Sequence, residues 1–310
     1  MQADVVDAGL LEVESKLQEI VLSDITLLQD ASSHIISSGG KRVRPQVVFL
    51  SYLAAGGTDI TSVVPLASAV ELVHTATLVH DDINDHSLTR RGKISVHARW
   101  GRTFALLTGD YLFTKVYELM APYGAEFNII MAKACVSLVE GETLQASTAK
   151  AGRVDKKTYK QIIELKTASL FQAAANMGAR VAQADQSTLD SLIQYGYNLG
   201  LAFQIVDDVL DVAGDPDILG KPIGKDLSQG TGALMTQNGK KIRAKAISTA
   251  ENDPIQKMMV ELRSSGALEL AMLQAKQYAD RAKSAAEDLP PSTARDDLLS
   301  LIELVINRNR

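Results

Sequence analysis

Two aspartate triplets dominate the chemistry this sequence could perform. Asp81, Asp82 and Asp85 close an apolar run in ELVHTATLVHDDINDHSLTRRG (residues 71–92), and Asp207, Asp208 and Asp211 close another in GLAFQIVDDVLD. Aspartate is a poor interior helix residue, and three carboxylates within about one turn repel one another. At positions i, i+1 and i+4 they project from one side of a helix and converge on roughly one point. Something positive should sit there. Hard oxygen ligands of this kind suit Mg²⁺, which binds through one or two carboxylates and completes its shell with water and substrate phosphates. A single acidic cluster reads as a solvated face. Two copies 126 residues apart, each ending an apolar helix, point to metal sites.

Three basic clusters lie beside glycines: Lys41, Arg42 and Arg44 after Gly39-Gly40, Arg90 and Arg91 before Gly92, and Lys221 and Lys225 around Gly220 and Gly224. Glycine permits close backbone approach to a ligand, and guanidinium forks match phosphate oxygens. Each cluster alone reads as a solvated surface patch. Arg90 and Arg91 follow Asp85 by five and six residues, however, so carboxylates and guanidiniums would face one site. Metal on one side and cations on the other suits a diphosphate. His74 and His80, six apart, lack the i, i+4 spacing of a helical zinc site. His74 lies two turns before Asp81, on nearly the same face, and either bonds a phosphate or is a satisfied core histidine.

The elements that must position these groups are helical. Apolar residues recur at helical spacing over 8–38, which ends at Ser37-Ser38-Gly39-Gly40, a helix stop. Pro45 is placed to start a helix running to Ala55. The helix carrying the first triplet follows, then a polar loop holding Trp100. Helices are expected over 103–121, 126–148, 158–182 and 186–213, with a short basic connection from Lys150 to Lys157. Residues 214–246 are glycine-rich and charged, a loop by every local signal, and helical spacing returns over 254–265, 266–287 and 293–308. No segment alternates with a two-residue period, so no sheet is expected. The chain reads as all-α, a single domain over residues 1–310 with long helices and short loops.

Composition is consistent with that reading. With 310 residues, 46% apolar and 22% charged, the chain can bury a large core. A net charge of −5 argues against a nucleic-acid partner. The one cysteine, Cys135, excludes an internal disulfide framework and reads as a small buried apolar residue. No basic, apolar leader opens the sequence and no run of 18 apolar residues occurs, so neither a signal peptide nor a membrane span is expected, and a cytoplasmic location is.

Taken together, GGKRVRP, LVHDDIND followed by LTRRG, GDYLF, ELKTASLF, and FQIVDDVLD followed by GKPIGKD resemble the motifs of the trans-isoprenyl diphosphate synthases, in that family's order, over roughly residues 15–230. The resemblance implies a large helical bundle around a central active-site cavity, the isoprenoid synthase type, and a homodimer. It implies a Mg²⁺-dependent condensation of isopentenyl diphosphate with an allylic diphosphate, with three Mg²⁺ ions per substrate-loaded site. By that resemblance Asp81, Asp82, Asp85, Asp207, Asp208 and Asp211 hold the metal against the allylic diphosphate, assisted by Arg90, Lys166, Thr167, Gln204 and Lys221. Lys41, Arg44, His74 and Arg91 hold the diphosphate of isopentenyl diphosphate.

The growing chain should run beside the first triplet's helix, away from Asp81. A helical turn of about 5.4 Å is comparable with one isoprene unit, so a bulky side chain one turn below the metals would act as a floor. Family members making short products tend to carry aromatic residues there; this chain has Thr77 and Ala76, and Val73 beyond them. A long-chain member is therefore expected, with products above about twenty carbons, in the range of about thirty to fifty. Phe113 and Tyr117 are candidates for a deeper floor. The family's usual apolar helix after Lys225-Asp226 has no counterpart in SQGTGALMTQNGKKIRAKAI, so residues 230–246 are atypical. Three other readings exist: a farnesyl or geranylgeranyl diphosphate synthase, a non-catalytic subunit of a heteromeric synthase, and a class I terpene cyclase. The last two fit poorly with two intact DDxxD motifs and a second basic site.

Overall fold

A computed structural model of the 310-residue chain describes residues 2–151, 155–213 and 266–308. Helices account for nearly all of it: α1 (Gln2–Ile20), α2 (Thr26–Ile36), α3 (Val43–Ala54), α4 (Val64–Asn84), α5 (Val96–Trp100), α6 (Arg102–Met120), α7 (Gly124–Ala151), α8 (Lys156–Ile163), α9 (Ser169–Val181), α10 (Gln186–Ala213), α11 (Ala267–Glu287) and α12 (Thr293–Ile306). The expected loop and helix between 214 and 265, with Lys221, Lys225 and the atypical 230–246, lie outside the described residues.

The expected all-α bundle is what forms. Helix α4 lies at its centre, packed against α1, α3 and α6, while α10 packs against α9, α11 and α12. Residues Ile60–Asn84 are long and apolar enough to cross a membrane, yet 72% of that apolar window is buried within the bundle. The apolar excess that marks α4 comes from neighbours on nearly every side, since Leu66, Val70, Val73 and Ala76 are all fully buried.

Local structure departs from expectation at four places. The run over 8–38 is two helices, not one. At the break, Ser23 Oγ accepts from the Ile25 amide at 3.1 Å and the Ser23 amide donates to Gln29 Oε1 at 3.2 Å, side-chain bonds that compete with the helical ladder. Helix α3 starts at Val43, so Pro45 sits within its first turn, where a missing N–H costs nothing. A two-stranded antiparallel ribbon, β1 (Thr89–Arg90) and β2 (Lys93–Ile94), flanks Arg91-Gly92, and the polar loop before Trp100 holds the short helix α5. Arg91 and Gly92 both have positive φ (49° and 75°), as a two-residue type I′ hairpin turn demands. Strands of two residues leave no alternation to read. Finally, the helix expected over 158–182 is interrupted by a π turn, Glu164–Ala168, between α8 and α9.

That π turn is wedged between two glycines. A Cβ at Gly141 of α7 would lie 2.8 Å from the Lys166 amide nitrogen, and one at Gly200 of α10 would lie 2.7 Å from Ala168 Cα. Only glycine lets both helices approach so closely.

The loop between α2 and α3 is fixed by a buried ion cluster. Arg42, itself at positive φ (49°), pairs with Glu14 of α1 and, at 2.6 Å, with Glu71 of α4. Glu71 is almost fully buried, so Arg42→Ala strands a carboxylate in the core. That variant is expected to lose about 3–5 kcal/mol of stability in urea unfolding, whereas Arg42→Met with Glu71→Leu should lose far less. Equal losses in the two would show that packing, not charge, holds the loop.

Candidate active site

The C-terminal end of α4 brings Asp81 and Asp82 to opposite tasks. Asp82 is buried and its Oδ1 accepts from Arg90 Nε at 2.9 Å and Arg90 Nη2 at 2.5 Å. Its Oδ2 is also buried and has no hydrogen-bond partner. The β ribbon makes this possible by turning the chain back after α4. Arg91, next along, donates instead to the Gly39 carbonyl, and Lys93 Nζ to the Ser37 carbonyl at 2.7 Å. The ribbon is thereby clamped to the end of α2. Asp85 caps α4, its amide donating to the Asp81 carbonyl at 2.8 Å.

Asp81 faces Lys166, at 3.8 Å, with Lys166 also 2.5 Å from Glu142 and 3.3 Å from Gln145 Oε1. Burial raises the Asp81 pKa from 3.8 to about 7; Glu142 and Asp85 push the same way, and Lys166 and Arg90 oppose them. Burial opposes the Lys166 charge, but Asp81, Glu142 and Asp85 outweigh it and hold its pKa above the ordinary value. Three acids, Asp81, Glu142 and Asp85, thus crowd around one lysine on this side of the site.

The second triplet is reached through the π turn. Thr167 Oγ1 donates to Gln204 Oε1 at 2.7 Å, Gln204 Nε2 donates to Asp208 Oδ1 at 2.8 Å, and Tyr159 donates its phenol to Asp208 Oδ2 at 2.7 Å. Asp207 points elsewhere, to Arg308 at 2.6 Å, while Asp211 is buried. Among the described residues no three acidic, histidine or cysteine side chains gather closely enough to enclose a metal ion. The expected convergence of each triplet is therefore incomplete: Asp82 is turned to Arg90, and Asp207 to Arg308. Mg²⁺ needs only one or two carboxylates besides water and phosphate oxygens. The crowded Asp81 and the orphaned Asp82 oxygen fit such an ion.

The remaining basic groups form a third cluster. The Arg44 guanidinium is buried, lies 4.8 Å from the Phe171 ring centroid, and has its pKa lowered by burial to about 10. Burial, then Arg308, lowers the pKa of Lys41, while Asp207 opposes them. Arg308 covers the Phe203 ring at 4.1 Å. Burial holds His74 well below its ordinary 6.5, reinforced by Arg44, Arg91, Arg90 and Arg42. A neutral imidazole among arginines makes stability acid-sensitive: the unfolded chain takes a proton on His74 below about pH 6.5 and the folded one does not. Stability is thus lost as pH falls from that value toward the lower folded pKa. The melting temperature of His74→Gln is expected to fall less steeply than that of the parent between about pH 7 and about pH 5. Parallel curves would refute a neutral His74.

Of the chain-length positions, Ala76 and Val73 are fully buried and Thr77 is half-buried. Thr77 bonds the His74 carbonyl at 2.7 Å. Phe113 stacks on His80, and Tyr117 is 71% exposed. Four groups at the site escaped the sequence reading: Glu142, Gln145, Tyr159 and Arg308. Glu142 and Gln145 are three apart on α7, a detectable helical pair. Arg308 and Tyr159 carry no local signal.

The family model for polyprenyl synthetase matches residues 25–261. The octaprenyl diphosphate synthase of Escherichia coli (strain K12) is 33% identical, the match covering 96% of this chain and 95% of that protein. A short chain isoprenyl diphosphate synthase of Methanothermobacter thermautotrophicus is 36% identical over 93% of each. The crystal structure of polyprenyl synthase from Caulobacter crescentus CB15, complexed with calcium and isoprenyl diphosphate, superposes with a TM-score of 0.89. It is 32% identical, the alignment covering 99% of this chain and 97% of that one.

Proposed function

This chain belongs to the polyprenyl synthetase family and is an enzyme, a prenyltransferase of the trans-polyprenyl diphosphate synthase type; on that premise we propose that it joins isopentenyl diphosphate to an allylic diphosphate and elongates to more than about twenty carbons. The observation that carries the site assignment is the Lys166–Thr167 pair. One residue reaches Asp81 and the next reaches Asp208 through Gln204, so one turn addresses both aspartate motifs.

In this reading Asp81, Asp82, Asp85, Asp207, Asp208 and Asp211 would hold Mg²⁺, up to three ions in the loaded site. When bound, the metal would supply neutralisation of the leaving diphosphate's charge. Lys166 and Arg90 add fixed positive charge at that diphosphate, and Thr167 and Gln204 assist there; Lys221 joins them by motif. Lys41, Arg44, Arg91 and the neutral His74 bind the second diphosphate and so orient the isopentenyl double bond. Loss of the allylic diphosphate leaves a carbocation, which the double bond attacks. The proton then released goes to the departed diphosphate, whose oxygen keeps the electron pair of the broken bond. Exclusion of water matters because water would capture the cation.

The long-chain assignment rests on the small side chains at 76 and 77. The homodimer rests on α6 and α7, which expose Leu106, Leu107, Tyr117, Ile129, Val136 and Val139 in the single chain. Exposed apolar side chains grouped on a surface mark an interaction site, and a second copy would cover these; light scattering on the purified protein would read the dimer mass. We assign it to the cytoplasm.

The deciding experiment is product analysis with Mg²⁺, labelled isopentenyl diphosphate and, separately, dimethylallyl, geranyl, farnesyl and geranylgeranyl diphosphates. A ladder ending well above about twenty carbons supports the assignment made from helix pitch. Termination at or below that length keeps the chemistry and refutes the open tunnel.

A further inference from the structure

The reaction as derived gives Glu142 no part. It is a partly buried carboxylate outside both aspartate motifs, beside the place assigned to an anionic diphosphate, and its Oε2 lies 2.5 Å from Lys166 Nζ. Asp81 Oδ2 is farther from the same nitrogen, at 3.8 Å. Like charges repel, so an acid there opposes the incoming anion unless it holds something the anion needs.

What it holds is Lys166. A lysine ammonium is a point charge on a flexible four-carbon stem, with rotatable donors and no fixed fork, so its direction comes from its partners. Gln145, about one turn further along α7, accepts from Lys166 Nζ at 3.3 Å. Glu142 and Gln145 thus grip the ammonium from one helix, while Asp81 approaches it from α4. The grip is prepared in the backbone. Gly141, immediately before Glu142, is where α7 meets the π turn: a Cβ there would fall 2.8 Å from the Lys166 amide nitrogen and 2.9 Å from Leu165 Cβ. One close approach therefore sets both the root of the lysine and the root of its acid partner.

We propose that Glu142 is a positioning residue, its carboxylate holding the Lys166 ammonium where the allylic diphosphate binds. The inference rests on the placement of Lys166 at that diphosphate given above. A charged group displaced by about 1 Å from its working position can lose about 100-fold in rate, which is the scale on which such a grip matters.

The test is Glu142→Asp, which keeps the charge and withdraws it by one methylene, and Glu142→Leu, which removes it. Each is made alone and together with Lys166→Met. Calorimetry reads the binding of farnesyl diphosphate in Mg²⁺ without isopentenyl diphosphate, beside the KM for each substrate in turnover. Both variants are expected to weaken farnesyl diphosphate binding by about 10-fold or more. The KM for isopentenyl diphosphate should stay within about twofold, and neither variant should add to the effect of Lys166→Met. Glu126→Leu, which removes an acid paired with Arg180 about 24 Å earlier along α7, should leave binding unchanged. Parental binding in Glu142→Asp overturns the proposal, since charge without reach would then suffice. An undiminished effect beside Lys166→Met overturns it too, because Glu142 would then act on the metal or the diphosphate directly. Unfolded Glu142 variants beside a folded Lys166→Met also overturn it, the acid being then a strut of the bundle. Parental farnesyl diphosphate binding in Lys166→Met removes Lys166 from that site and the inference with it. A protein that binds farnesyl diphosphate yet condenses it with nothing refutes the proposed reaction, while the binding comparison still decides the role of Glu142.

Discussion

Replacing Asp81 with asparagine is expected to lower kcat by about 10³-fold or more while leaving the metal-free protein more stable at alkaline pH. The two effects have one cause. Burial and the neighbouring Glu142 and Asp85 raise the Asp81 pKa from 3.8 to about 7. In the unfolded chain this carboxyl ionises above about pH 4, whereas in the folded chain it keeps its proton until about pH 7. Over that window the folded state binds the extra proton, so stability falls as pH rises and stays lowered above it. Asparagine has no such charge to bury and escapes the penalty. It also cannot give a cation a full negative charge, which is the reason for placing an acid there. Thermal melts in chelator from about pH 4 to about pH 9, beside steady-state turnover in Mg²⁺, read both halves. A variant that is inactive and no more stable at alkaline pH would show that Lys166 alone already balances Asp81.

The second large effect concerns product length. Phenylalanine at 77 is expected to truncate the product ladder to about twenty carbons or fewer, because Thr77 lies one turn from Asp81 on its face of α4 and a turn of about 5.4 Å matches one isoprene unit. Ala76→Phe should shorten the product too, but at a different expense. The Ala76 side chain is fully buried, so a ring there must displace packed neighbours, at about 1–3 kcal/mol. Chromatography of the dephosphorylated products, with melting temperatures for both variants, separates a floor from a strained core. Parental product lengths from both would remove α4 as the determinant and turn attention to Phe113, which stacks on His80 beside it.

Legibility followed range in sequence. Helices α4, α6 and α10 could be read because their apolar residues repeat over five or more turns, and the aspartates at the ends of α4 and α10 stand out against that background. The pairing of Asp82 with Arg90 could not be read, because it depends on a ribbon of two-residue strands that folds Arg90 back. The convergence of each triplet was overestimated for a related reason. Helical spacing fixes where a Cβ points, but Arg90 and Arg308 decide where the carboxylates of Asp82 and Asp207 end, and Arg308 lies 101 residues beyond Asp207. Glu142 and Tyr159 illustrate the same limit: each meets its partner only through tertiary packing.

The π turn at Glu164–Ala168 has a consequence for how this helix tolerates change in length. In an unbroken α-helix, Tyr159 and Lys166, seven residues apart, would share a face. Here Tyr159 serves Asp208 and Lys166 serves Asp81. The extra residue accommodated by the turn is what sets the two out of phase. Deleting any one residue there would give a smoother helix with better backbone bonding, and would swing either Tyr159 or Lys166 off its aspartate. Substitutions along this run can fail singly, but a one-residue deletion would uncouple the two motifs at a stroke, and consensus design that regularises the helix would make the protein sturdier and idle.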